Sequence, residues 1–148
     1  MKKDEVIRIR KLIQRYAYTS LQLHEAAARS MGLSGTDHKY LGFIMQKGEM
    51  TAGELATLTG LTTGAVTGLI DRFEKKKLVK RKFAKDDRRK VIIVPDPGKI
   101  KDLLEPVYNT FQNKSENLIA SFNSEEQKIL ETYFTKAIEL MNETKDRL

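Results

Sequence analysis

The chain has 148 residues, enough for one domain with its own core. It contains no cysteine, which excludes disulfides, thiolate zinc sites and thiol redox sensing. No apolar run approaches the roughly 20 residues that cross a bilayer, and "MKKDEVIRIRK" lacks the apolar core of a signal peptide, so a cytoplasmic protein without a membrane partner is expected.

The first thirty residues predict one long helix. Val6, Ile9, Leu12, Ile13, Tyr16, Leu23, Ala27 and Met31 recur at steps that keep one apolar stripe, with no Pro or Gly between them. "MGLSG" breaks that helix, and Ser34 with Asp37 three residues on predicts the N-cap of a second, which ends near Gly48. Thr51 and Glu54 form a capping-box pattern opening a short third helix that Gly60 closes. A fourth helix begins at "TTGAV" and runs to about Lys76. The β-prone runs "LVKRKF" and "KVIIV", separated by the polar "AKDDRR", predict a hairpin. Asp96 and Pro97 suit a fifth helix start, and Ser124 with Gln127 opens the sixth. The terminal helices carry more apolar positions than three short helices and a hairpin can cover. Either they fold back on their own domain or they meet a second copy of the chain.

The charge is localised. Of 27 Lys and Arg and 20 Asp and Glu, residues 71–90 hold 11 and 4, which leaves 16 of each in the other 128 residues. The whole net charge of +7 therefore sits in one short segment. Such focusing suits a polyanion docking surface better than a general solubility device. A solvated charged face is the plainer alternative.

Residues 52–71, "AGELATLTGLTTGAVTGLID", meet the physical requirements of a helix-turn-helix. Ala56 is small where two helices cross, Gly60 supplies a left-handed turn, and Leu61, Val66 and Leu69 pack the second helix back on the first. The exposed start of that second helix carries Thr62, Thr63, Gly64, Ala65, Thr67 and Gly68, all small or hydroxylated. Short side chains let a backbone approach base edges, hydroxyls reach phosphates or bases, and Ala65 suits a thymine methyl. Thr62 also reads simply as an N-cap, and the glycines as packing residues.

With the hairpin following directly, the chain resembles the MarR family of bacterial transcriptional regulators. The resemblance is carried by "GELATLTGLTTGAVTGLIDRFEKKKLVKR" and by "DDRRKVIIV", where Asp87 and Arg89 match an Asp-x-Arg pattern ahead of a strand. It implies a mainly α fold with a small β-hairpin, a winged helix-turn-helix over 34–96 flanked by dimerisation helices at 1–33 and 97–148. It also implies a homodimer that binds a pseudo-palindromic site in double-stranded DNA, usually as a repressor, without a cofactor. Carried over by position, Thr63, Thr67 and Arg72 fall on the recognition helix, and Arg88 and Arg89 on the wing, with Asp87 the acidic member of its motif. Lys80, Arg81, Lys82 and Lys90 fall on the wing strands as phosphate contacts. Family members respond to small molecules, so a phenolic or lipophilic effector is implied, with Tyr16, His24, His38 and Tyr40 as candidate pocket residues. A lone histidine is also an ordinary surface or half-buried residue.

Two departures stand out. Lys77 occupies a position where the family commonly has Gly, which suggests a locally different turn, and "VPDPG" replaces the usual Leu-Thr after the wing. An enzyme is disfavoured, because the two histidines lack metal-ligand spacing and no cysteine nucleophile exists. A basic protein that binds nucleic acid without sequence preference is the closer rival, but it has no need of a helix stripped of bulky side chains.

Overall fold

A computed structural model describes residues 2–148. Six helices and a three-stranded sheet follow the expected order, with one added strand: α1 (Lys2–Ser30), α2 (Gly35–Lys47), β1 (Met50–Thr51), α3 (Ala52–Thr59), α4 (Thr63–Lys75), β2 (Val79–Phe83), β3 (Val91–Pro95), α5 (Pro97–Ala120) and α6 (Ser124–Arg147). One compact unit ends at Val107 and a second comprises Tyr108–Leu148.

Local chemistry sets the boundaries in the first unit. Gly32 takes a left-handed φ of 73°, which ends α1 and lets the Leu33 N–H reach the Ala28 carbonyl at 2.8 Å. Ser34 then caps α2, its hydroxyl accepting from the Asp37 N–H at 3.0 Å. Thr51 and Glu54 complete the reciprocal capping box of α3, and Gly60 closes that helix at φ 72° with its N–H on the Ala56 carbonyl. The short β1 is an addition to the expected elements, because two residues are too few to show an alternating pattern. It pairs antiparallel with β3, Met50 opposite Ile93, and β2 pairs with the other edge of β3, Arg81 opposite Ile93.

Leu41 and Ile44 of α2, Leu55 of α3, Val66, Leu69 and Phe73 of α4, Ile93 of β3 and Ile100 of α5 meet in one core, each almost or wholly inaccessible to water. At about 1.5–3 kcal/mol per buried large side chain, this cluster is what fixes α4 against α2 and the sheet. Helix α4 is thus seated by its Val66–Leu69–Ile70–Phe73 face, and its opposite face is left to solvent.

At Lys77 the expectation of a changed turn is not met. Its φ is 61°, so a lysine adopts the left-handed geometry that glycine ordinarily supplies. The turn is held because the Lys77 N–H reaches the Glu74 carbonyl and the Leu78 N–H reaches the Phe73 carbonyl, both at 2.9 Å. Buried Leu78 and Val79 then enter the core and leave this backbone no alternative.

In the second unit α6 opens at Ser124 as expected, but its capping box lies one residue earlier than the Ser124–Gln127 pattern. The cap is Asn123, whose side chain accepts from the Glu126 N–H at 2.9 Å while the Glu126 carboxylate accepts from the Asn123 N–H at 2.8 Å. Gln127 plays a different part: its amide donates to the carbonyls of Ile119 and Phe122, closing the turn between helices. No residue of this unit is buried. Phe111, Leu118, Ile129, Phe134, Ile138 and Met141 are all exposed.

Replacing Lys77 by Gly removes a left-handed penalty of about 1–2 kcal/mol and adds about 0.4–1 kcal/mol of unfolded-chain entropy. Lys77→Gly is therefore expected to raise the stability of the first unit by roughly 0.5–1 kcal/mol. Urea denaturation followed by circular dichroism measures this; an unchanged or lower midpoint contradicts the strain at Lys77.

Candidate nucleic-acid interface

The exposed N-terminal half of α4 is as bare as its sequence suggests. Thr62 is the N-cap, its hydroxyl accepting from the Ala65 N–H at 3.2 Å. Thr62, Thr63, Gly64, Ala65 and Thr67 are all exposed. The Thr67 hydroxyl donates to the Thr63 carbonyl at 3.0 Å, which leaves its oxygen lone pairs free to act as acceptors. Both sequence readings of Thr62 are compatible with this geometry, since a capping hydroxyl at a helix start is also next to the exposed N–H groups that bind anions.

The arginines divide into three kinds. Arg72, on the last turns of α4, reaches back to α2 and grips Asp37 through two bonds, Nε to Oδ2 at 2.8 Å and Nη2 to Oδ1 at 2.9 Å. Asp37 is the buried charged residue of the described chain, and this planar fork satisfies both of its oxygens. Arg81 is held by two carboxylates of α4, Asp71 at 2.6 Å and Glu74 at 2.7 Å. Arg88 and Arg89 stand on the loop between β2 and β3, where both are exposed.

Asp87 organises that loop. Its carboxylate accepts from the Arg89 backbone N–H at 2.9 Å and from Arg89 Nε at 3.2 Å. The Lys90 N–H donates to the Asp87 carbonyl, and the Ala84 N–H to the Lys90 carbonyl, each at 3.1 Å. A side chain accepting from the backbone two residues on is an Asx-turn, which holds the loop without glycine. The Arg89 side chain stays 93% exposed even so. It is oriented at its base and open at its tip. Lys80 and Lys90 are exposed, and Lys82 lies 3.5 Å from Glu49 with both groups half in water, a contact that salt screens readily.

The candidate pocket residues do not stay together. His24 of α1 and His38 of α2 face each other with ring centroids 5.7 Å apart. They line a cleft of about 870 Å³ together with Leu21, Lys39, Gly42 and Phe43. Burial, and secondarily the neighbouring His24, pushes the His38 imidazole below its ordinary value. Tyr40 is buried in the core, and Tyr16 is an exposed residue farther up α1, outside the cleft lining. The face of α2 that lines the cleft runs through positions 35, 39, 42, 43 and 46, whereas Tyr40, Leu41 and Ile44 turn inward. Helical spacing therefore distinguishes Phe43 from Tyr40, and aromatic character alone does not. Asp37, Asp71 and Glu74 escape a reading of the sequence for another reason. A carboxylate in sequence carries no sign of which arginine it will hold.

The Arg89 backbone and side chain together hold the Asp87 carboxyl below its usual value of 3.8. A depressed carboxylate favours the folded turn above its unfolded value, and that preference is lost as pH falls through the lower folded value. In a carbon-detected NMR titration Asp87 should titrate below 3.8, and Arg89→Ala should move it back toward that value. An Asp87 that titrates normally in the parent chain contradicts the turn.

A model of the MarR family matches residues 31–90, from the end of α1 through the wing loop. An uncharacterized HTH-type transcriptional regulator of Bacillus subtilis, YcgE, is 38% identical over 140 residues, covering 93% of this chain and 88% of that protein. Among solved structures, a point variant of Staphylococcus aureus MepR bound to an oligodeoxyribonucleotide is similar with a TM-score of 0.63 and 20% identity, covering 90% of this chain and 97% of that one. YusO from B. subtilis gives 0.65 and 18%, with 92% and 96% covered. The structures share the fold, and the sequence relative with the family model fixes the lineage: this chain belongs to the MarR family of helix-turn-helix transcriptional regulators.

Proposed function

We propose that the chain is a sequence-specific repressor that grips a pseudo-palindromic site in double-stranded DNA as a homodimer and is tuned by a small molecule. The observation that carries the reading is the pairing of two surfaces. An exposed helix start without bulky side chains lies on the chain just before a wing whose tip presents an oriented arginine. The first suits a major groove, where short residues admit the backbone to base edges; the second suits a narrow minor groove, whose potential draws a guanidinium. The DNA-bound MepR variant has this fold, which supports the same mode in this chain.

Two further observations support the dimer and the effector. Val6, Ile9, Leu12 and Tyr16 of α1, and Ile129, Phe134, Ile138 and Met141 of α6, are exposed apolar residues at helical spacing. A second copy covers such faces symmetrically and places two recognition helices one DNA turn, roughly 34–36 Å, apart. The cleft of about 870 Å³ has apolar Leu21 and Phe43 beside cationic Lys39 and the two imidazoles, and its size falls in the range of small-molecule sites. His38 follows Asp37 directly, and Asp37 holds Arg72 of the recognition helix. A ligand that shifts the first turn of α2 thus acts on α4 through one ion pair.

Selection from random duplexes should enrich a two-fold symmetric sequence; enrichment of no sequence would favour a basic protein without sequence preference. On the selected duplex, Arg89→Ala should weaken binding by roughly tenfold or more, while Lys82→Ala should weaken all sequences evenly and reduce the salt slope by about one. Gel-shift titrations at two salt concentrations measure both, and an Arg89 variant that binds as tightly as the parent removes the wing from the interface.

A further inference from the structure

We infer that Arg81, which its position assigns to phosphate contact, is instead a positioning residue that sets the angle between the recognition helix and the wing, an inference that rests on the DNA-binding reading above. Asp71 and Glu74 lie three residues apart on α4 and so share one face. Arg81 reaches both from β2, Nη2 to Asp71 Oδ1 at 2.6 Å and Nη1 to Glu74 Oε1 at 2.7 Å. Its backbone N–H also donates to the second Glu74 oxygen at 3.2 Å. Side chain and main chain of one strand residue are thereby tied to one helix. Arg81 stands opposite Ile93, which is fully buried, so the clamp is anchored in the central strand.

Two features set this arginine apart from a phosphate ligand. Its side chain is only 27% exposed, against 93% for Arg89. Two carboxylates occupy its fork, so the group of three carries a net negative charge and repels phosphate. What the clamp supplies is leverage. At about 3.3 Å per residue, the wing tip lies on the order of 15–20 Å beyond Arg81. A tilt of about 10° at the clamp moves that tip by roughly 3 Å, half the width of a minor groove of about 6 Å. Arg89 reaches its groove only while Arg81 holds the hairpin.

The double variant Asp71→Asn/Glu74→Gln separates the two roles. It raises the surface charge by two and releases Arg81, so a phosphate contact predicts tighter binding to every duplex. The positioning role predicts the reverse for the selected duplex: at least fivefold weaker binding, with bulk DNA bound at least as well as before. In that background Arg89→Ala should cost less than twofold, because the wing no longer delivers it. Equal or tighter binding of the selected duplex, or a full Arg89→Ala effect in the double variant, overturns the inference. Both carboxylates are well exposed, at 61% and 42%, so the amides are compatible with folding. Should they fail, Arg81→Lys keeps the charge but loses the planar fork, and the same losses are expected. A parent chain that binds selected and bulk DNA alike would instead overturn the DNA reading itself.

Discussion

Arg72, Arg81 and Arg89 each rest on a carboxylate, and everything that makes the basic segment more than a patch of charge depends on those contacts. A guanidinium is a planar group with donors in fixed directions, so a carboxylate that takes two of them fixes its plane. Asp37 does this for Arg72 and ties α4 to α2. Asp71 and Glu74 fix the plane of Arg81 jointly, each accepting from one Nη, and tie α4 to β2. Asp87 holds Arg89 by its backbone and Nε while its tip remains in water. The first two contacts hold α4 against its neighbours, and the third orients Arg89 on the wing loop. Each carboxylate lowers the attraction for a polyanion, and each exchanges that attraction for direction.

This division of labour explains why so many cations lie in residues 71–90 while few are oriented. Exposed lysines such as Lys80 and Lys90 hold long side chains in water, and as mobile point charges they suit a phosphate backbone of any sequence. Of the oriented arginines, Arg89 alone keeps an open tip, and that is the geometry that suits a groove of particular shape. The same logic makes Lys77 intelligible. The chain must reverse between α4 and β2 to bring Arg81 over Asp71 and Glu74, and a left-handed residue at φ 61° accomplishes that, with glycine or without it.

Much of the fold is legible in the sequence because its signals are local. Gly60, the Thr51–Glu54 box and the Ser34 cap act over three or four residues, and each appears where spacing places it. The misses have separate physical causes. At α6 two overlapping polar patterns compete, and Asn123 with Glu126 wins because Gln127 is needed across the turn. Tyr40 and Phe43 differ only in helical phase, and the core takes the one beside Leu41 and Ile44. The partner of Arg72 lies 35 residues away in sequence, beyond any local pattern. Position assigns Arg81 to a wing strand but cannot show that its fork is already occupied. For Asp87 the sequence leaves open which arginine it holds, and the turn answers with Arg89, two residues on.

The trade of charge for geometry is tested most directly by Asp87→Ala, with affinity measured on a selected duplex and on bulk DNA at the same salt. The substitution raises the net charge by one and leaves every cation in place. If the carboxylate aims Arg89, binding to bulk DNA should hold or tighten while binding to the selected duplex falls by roughly tenfold, the scale of one lost groove contact. If both affinities rise together, Asp87 does no more than diminish a basic surface, and no geometry is gained for the charge it removes.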